Sequence, residues 1–129
     1  MNAVLLDTHV ILWWLEGAAH ISTRARSVIE DIESVVLVSA ASAWEIAIKL
    51  KAGKLDVTPA FVERFAGVLE DNHFGELPIS MDHAIAAGLL ESSHMDAFDR
   101  MLIAQARVEG IPVVSTDHRF DDFDVRRIW

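Results

Sequence analysis

Ala3-Val4-Leu5-Leu6-Asp7-Thr8 decides how the rest of the chain is read. A short apolar run ends abruptly in a carboxylate, and helical periodicity follows it. Such a run is too short for a helix and reads as a strand buried on both faces of a parallel sheet. Its last residue leaves the core at the carboxyl edge of the sheet, where open α/β sheets bind their ligands. An acid there suffers desolvation unless something pairs with it. Asp7 is therefore expected to be the first of several carboxylates converging on a metal ion.

Working outward, the same reasoning orders the whole chain. A helix is expected over 9–17, closed by Gly17, and a second from the N-cap Ser22 to Glu33, with Ala25, Val28, Ile29 and Ile32 on its buried stripe. Val35–Val38 reads as a second buried strand. Ser39 opens a helix to about Lys54, and Thr58-Pro59 opens another to about Phe74. Leu77–Ile79 reads as a third strand, followed by a helix from Met81 to Glu91 capped by Ser80. Asp96 opens a helix to Glu109, stopped by Gly110 and Pro112; Val113–Thr116 forms the fourth strand and ends in Asp117. A short fifth strand is expected within 124–129. The alternation predicts an α/β, three-layer sandwich around a mainly parallel sheet, with residues 1–129 as a single domain.

Composition sets the limits on function. The chain has 129 residues, 52% of them apolar and 24% charged, which describes a well-cored globule rather than a disordered chain. No apolar run approaches the roughly 18 residues that span a bilayer, and the first residues carry no basic stretch, so a cytoplasmic protein without a signal peptide is expected. Absence of cysteine excludes disulfides, thiolate metal sites and cysteine nucleophiles. A net charge of −9 argues against simple electrostatic binding of nucleic acid. It leaves room for a nuclease whose divalent cations supply positive charge where the phosphate sits.

Crossover geometry then sorts the acids. A helix that leaves a strand, or feeds the next parallel one, begins at the carboxyl edge. Asp7 and Asp117 end strands one and four. Glu45 lies in the second turn of the helix after strand two, about 8 Å back at 1.5 Å rise per residue. Asp96 and Asp99 open the helix that feeds strand four. Each also has an ordinary reading: Glu45 as an i,i+4 ion pair with Lys49, Asp96 as a helix cap, Asp117 as the start of a turn. Gathered together, uncompensated carboxylates raise one another's pKa and destabilise the fold, which Mg²⁺ or Mn²⁺ with oxygen ligands would relieve. Such a pocket suits attack of a metal-activated water on a phosphodiester. No paired zinc spacing links His9, His20, His73, His83, His94 and His118.

Leu6-Asp7-Thr8-His9, Ser39 to Lys49 with Trp44-Glu45 at its centre, Gly53-Lys54-Leu55, Asp96 to Ala106 with Asp99-Arg100, and Ser115-Thr116-Asp117 together resemble the PIN-domain ribonucleases, VapC-type toxins of bacterial and archaeal toxin–antitoxin pairs above all. The resemblance covers essentially the whole chain in order; Ala97 stands where that subfamily usually has proline. It implies a sheet order of 3-2-1-4-5 and Mg²⁺- or Mn²⁺-dependent cleavage of RNA. It implies that Asp7, Glu45, Asp99 and Asp117 are the catalytic, metal-holding quartet, with Asp96 auxiliary or a cap and with Thr116 and Ser42 as polar supports. It further implies a homodimer and a VapB-type antitoxin. Trp13, Trp14, Trp44, Phe61 and Phe65 become candidates for grooves or the dimer contact, with ordinary core as the alternative. Lys49, Lys51 and Lys54 become candidates for RNA phosphates. A catalytically inert partner-binding module and a phosphoacceptor receiver domain are the competing readings. A receiver wants an acid where strand three here ends in Ser80, and a lysine where Asp117-His118-Arg119 follow strand four.

Overall fold

The computed structural model describes residues 2–17, 19–92 and 95–129. Five strands, β1 (Asn2–Leu6), β2 (Ser34–Ser39), β3 (Gly75–Leu77), β4 (Val113–Val114) and β5 (Arg127–Ile128), form one sheet in the order 3-2-1-4-5. Every pairing is parallel, with Leu5 opposite Leu37 on one side and opposite Val113 on the other. Among the described residues, seven α-helices connect them: α1 (Thr8–Leu15), α2 (Thr23–Glu30), α3 (Ala40–Lys51), α4 (Pro59–Glu63), α5 (Phe65–Asp71), α6 (Met81–Leu89) and α7 (Ala97–Glu109). A 3-10 helix over His118–Phe123 leads from β4 to β5.

The strand alternation divides the core into two layers. Val4, Leu6, Val36, Val38 and Val114 face one way, against Val10, Ile11, Ala25, Ile29 and Leu69. Leu5 and Val113 face the other way, against Leu102, Ile103, Ala106 and Phe120. The sandwich is thus three-layered, and β1 sits at its centre. Because β1 and β4 are neighbours whose connections leave to opposite sides, the crevice above Asp7 is the switch point of the sheet.

Element boundaries differ from expectation where local chemistry intervenes. The helix after Ser22 stops at Glu30, because Asp31 turns extended and its carboxylate accepts the Glu33 N–H; Ile32 consequently leaves the buried stripe and is exposed. The stretch 59–74 carries two helices meeting at Arg64. Hydrogen bonds reach the joint from both sides, from Arg64 N–H to the Ala60 carbonyl and from Val68 N–H to the Arg64 carbonyl, both at 3.0 Å. His73, at φ 59°, ends the second helix and turns Phe74 into the core.

The third strand lies two residues earlier than expected. Pro78 has no N–H to offer the ladder, while Gly75 lets the strand approach β2 so closely that a Cβ there would meet Leu37 at 3.1 Å. The fourth strand shortens to Val113–Val114, and the fifth to Arg127–Ile128 after the unforeseen 3-10 helix, which buries Phe120. Gly110, at φ 66°, closes α7 as its left-handed C-cap.

Candidate active site

Asp7 is both the end of β1 and the N-cap of α1. Its Oδ1 accepts the Thr8 N–H at 2.8 Å, and its Oδ2 accepts the Ser115 hydroxyl at 2.7 Å. Ser115 Oγ in turn accepts the Asp117 N–H at 2.9 Å, so one hydroxyl ties the ends of β1 and β4 together. Thr8 donates its hydroxyl to Ser42 on α3 at 2.9 Å, linking the third segment. Asp7 is 5% exposed, and burial pushes its pKa up despite these donors and the nearby His9, with Glu45 adding to the rise.

Glu45 projects from the second turn of α3 and is 6% exposed, so it is not part of a solvated helix face. The i,i+4 pair with Lys49 forms all the same, at 2.7 Å. Lys51 and Lys54 stand exposed. Asp96 caps α7, its Oδ1 accepting the Asp99 N–H at 2.9 Å. Asp99 follows one turn in, and burial, Asp96, Asp7 and Glu45 together lift its carboxyl to about 7, against the pull of Arg119. Arg100 points elsewhere and gives its guanidinium to the carbonyls of Ala87, Leu90 and Ser92. That clamp fixes α7 against the end of α6 and with it the aim of Asp99.

Asp117 stands at the rim. Its carboxylate accepts the Arg119 N–H at 3.0 Å and both Nε (3.0 Å) and Nη2 (2.6 Å) of the Arg119 guanidinium, and that pairing holds its pKa below the usual range. The same Nη2 lies 3.6 Å from Asp99 Oδ2. Arg119 therefore spans the two acids contributed by β4 and α7.

The topology brings Asp7, Glu45 and Asp99 into one another's electrostatic field and joins Asp117 to them through Ser115 and Arg119. Among the described residues, no three His, Asp or Glu side chains close on a common point as ligands would. The donor set still has the chemistry of a hard-cation site. It is all carboxylate oxygen, buried enough that Asp7 and Asp99 resist ionising, and short of positive charge. Of the histidines, His83 is buried in the cap of α6 and paired with Glu109; His94 lies outside the described residues.

Two residues escaped the sequence reading. Ser115, not the exposed Thr116, supports Asp7. Arg119 supplies the rim cation. The signal for both was the spacing Ser115-x-Asp117-x-Arg119, in which side-chain oxygens accept the N–H two residues on, first in a serine turn and then in an aspartate turn. Among the aromatic candidates, Phe65 is core, and Trp13, Trp14 and Phe61 are half-buried against it. Trp44 is 57% exposed and meets Phe98 edge-on, with ring centroids 4.9 Å apart.

Known proteins share this fold. The chain is 39% identical over 72 residues to Ribonuclease VapC16 of Mycobacterium tuberculosis, a match that covers 54% of this chain and 48% of that protein. The chain thus spans about half the length of that curated relative. Its fold is similar to chains in the structures of VapBC-1 from nontypeable Haemophilus influenzae (TM-score 0.71, 14% identity, 97% and 96% of the two chains) and of VapBC2 from Rickettsia felis bound to a promoter DNA fragment (TM-score 0.70, 10% identity, 97% and 96%). Residues 4–126 match the PIN domain, and the chain belongs to the PIN-domain family.

Proposed function

We propose that the chain is a VapC-type toxin, a divalent-metal-dependent endoribonuclease. The observation that carries this reading is that Asp7, Glu45 and Asp99, from three separate segments, act on one another electrostatically at the switch point of the sheet, with Asp117 joined to Asp7 through Ser115. Asp7, Glu45, Asp99 and Asp117 would hold Mg²⁺ or Mn²⁺, and Asp96 acts as the cap of α7. The metal would supply Lewis acidity and a water acidic enough to attack at neutral pH. The protein's own part is positional. Ser115 and Thr8 N–H aim the Asp7 carboxylate, Arg100 aims α7, and burial keeps bulk water away from the inner acids. With a net charge of −9, the chain cannot draw RNA to this pole by its own field.

The structural relatives come from VapBC assemblies. By analogy, a VapB-type antitoxin is the proposed partner, a homodimer the proposed assembly and the cytoplasm the proposed place of action. No helix among the described residues is long and apolar enough to cross a membrane. Exposed Trp44, Ile48, Ile79 and Ile85 are apolar surface that such a partner would cover.

The test is cleavage of structured RNA by metal-stripped protein with Mg²⁺, Mn²⁺ or EDTA. Cleavage restored by either ion and abolished by EDTA supports the reading; EDTA-resistant cleavage overturns it.

A further inference from the structure

We propose that Arg119 is the built-in counter-ion of the acidic pole: its guanidinium competes with the divalent cation for the Asp117 and Asp99 carboxylates and releases them when the cation binds. This inference rests on the nuclease reading, and it concerns how the site is kept before metal arrives.

Three observations carry it. First, the guanidinium takes both oxygens of Asp117, with Nε at 3.0 and 3.1 Å and Nη2 at 2.6 Å, so the lone pairs that would face a cation are already engaged. Second, the same Nη2 reaches Asp99 at 3.6 Å, so one side chain neutralises acids from two segments, the task a metal would perform. Third, the backbone beside Arg119 is anchored while its side chain lies at the surface. Phe120, the next residue, is fully buried, whereas the Arg119 side chain is half-exposed at the rim.

Arginine cannot deprotonate at any accessible pH and offers no lone pair to a metal. A cation that takes up the Asp117 oxygens must therefore displace the guanidinium from them. Lys49 plays a lesser version of the part for Glu45, through a single contact at 2.7 Å. The consequence is quantitative: apparent metal affinity is reduced by the fraction of molecules in which Arg119 has let go. A fork-shaped pair at a half-exposed site makes that reduction roughly 3- to 10-fold.

The experiment is calorimetric titration of Mn²⁺ into metal-stripped wild type, Arg119→Gln and Arg119→Lys, with folding checked by circular dichroism. It is paired with the ¹⁵N–¹H resonance of the Arg119 Nε in wild type during Mg²⁺ titration. Arg119→Gln should bind Mn²⁺ about 3- to 10-fold tighter, Arg119→Lys should fall between, and the Nε resonance should move toward that of a solvated arginine. Unchanged or weaker Mn²⁺ binding by a folded Arg119→Gln overturns the proposal. An Nε resonance unmoved at saturating Mg²⁺ overturns it without any variant. If wild type cleaves RNA with Mn²⁺ while Arg119→Gln binds as wild type does, only the counter-ion role fails. If no protein binds Mn²⁺, the metal-dependent reading fails as well.

Discussion

Asp7 and Asp117 end neighbouring parallel strands a few residues from the same hydroxyl, yet the fold treats them oppositely. Asp7 is sealed in, its hydrogen bonds come from neutral donors, and its pKa rises despite the nearby His9. Asp117 is at the rim, gripped by Arg119, and its pKa falls. The inner acid lacks a countercharge and the outer one already has it. That contrast supports the proposed cation site, since desolvating the inner carboxylates without an ion-pair partner costs stability. Asp99 belongs to the inner class, with its carboxyl near 7 although Arg119 lies 3.6 Å away.

The sharpest way to break the comparison is to remove the charge of an inner acid. Asp99→Asn should cut RNA cleavage by well over about 100-fold, since altering a residue that merely touches a metal ligand already costs about 10- to 100-fold. The same change should stabilise the metal-free protein above pH 7, because it removes a carboxylate that folding holds at a penalty. A variant that lost activity and also melted lower at pH 8 would show that Asp99 supports the fold instead.

Next in size is the pH dependence of the metal-free protein. Below about pH 4, Asp99 is protonated both folded and unfolded and contributes nothing. Between about 4 and 7 the native state keeps a proton that the unfolded chain releases, so stability falls across that window and levels off above it. Asp7 works in the same direction. The drop should be roughly 2–4 kcal/mol between pH 5 and pH 8 in EDTA. Asp117, shifted the other way, contributes stability above about pH 4 that is lost as pH falls further. Urea melts at pH 5, 6, 7 and 8 read the difference directly. Stability rising from pH 5 to 8 would contradict the inner–outer distinction, and saturating Mg²⁺ should flatten the curve.

Ser115 is the hinge between the two classes, so Ser115→Ala should cost about 1–3 kcal/mol by leaving a buried Asp7 oxygen without its donor. The loss should grow as pH rises, because the donor matters more to the ionised than to the protonated Asp7 carboxyl. A pH-independent loss would reduce Ser115 to a packing residue.

How much of this was legible in the residues follows from the same contrast. The meeting of the acids at one edge rests on strand ends, helix starts and crossover handedness, which one-dimensional patterns record well; Val4-Leu5-Leu6 and Val113-Val114 were unmistakable. The countercharges were not legible, because the partner of an acid depends on rotamers and turns. Arg119 read as part of a turn after Asp117, and Ser115 was passed over for its neighbour Thr116, which is exposed where Ser115 is buried. Ile32 shows the same limit, since its place on the helical stripe held only if the helix outlasted Asp31. Likewise, nothing in 59–74 marks Arg64 as a joint, for no glycine or proline stands beside it.

The smallest expected effect is the most discriminating for the boundary of the site. Asp96 is exposed and bonds the Asp99 N–H, which a cap requires and a ligand does not. Asparagine keeps that acceptor and removes the charge. Asp96→Asn should therefore alter stability by no more than about 0.5 kcal/mol, whereas Asp96→Ala, which loses the acceptor, should cost about 1 kcal/mol. Removing the neighbouring charge should also bring the Asp99 midpoint below about 7 in an NMR titration of the metal-free protein, since Asp96 is the largest of the carboxylates raising it. Cleavage should stay within a few-fold of wild type in the asparagine variant. If Asp96→Asn instead loses activity as completely as Asp99→Asn, the countercharge is shared with Asp96. The inner class must then be widened to include an acid that lies open to solvent.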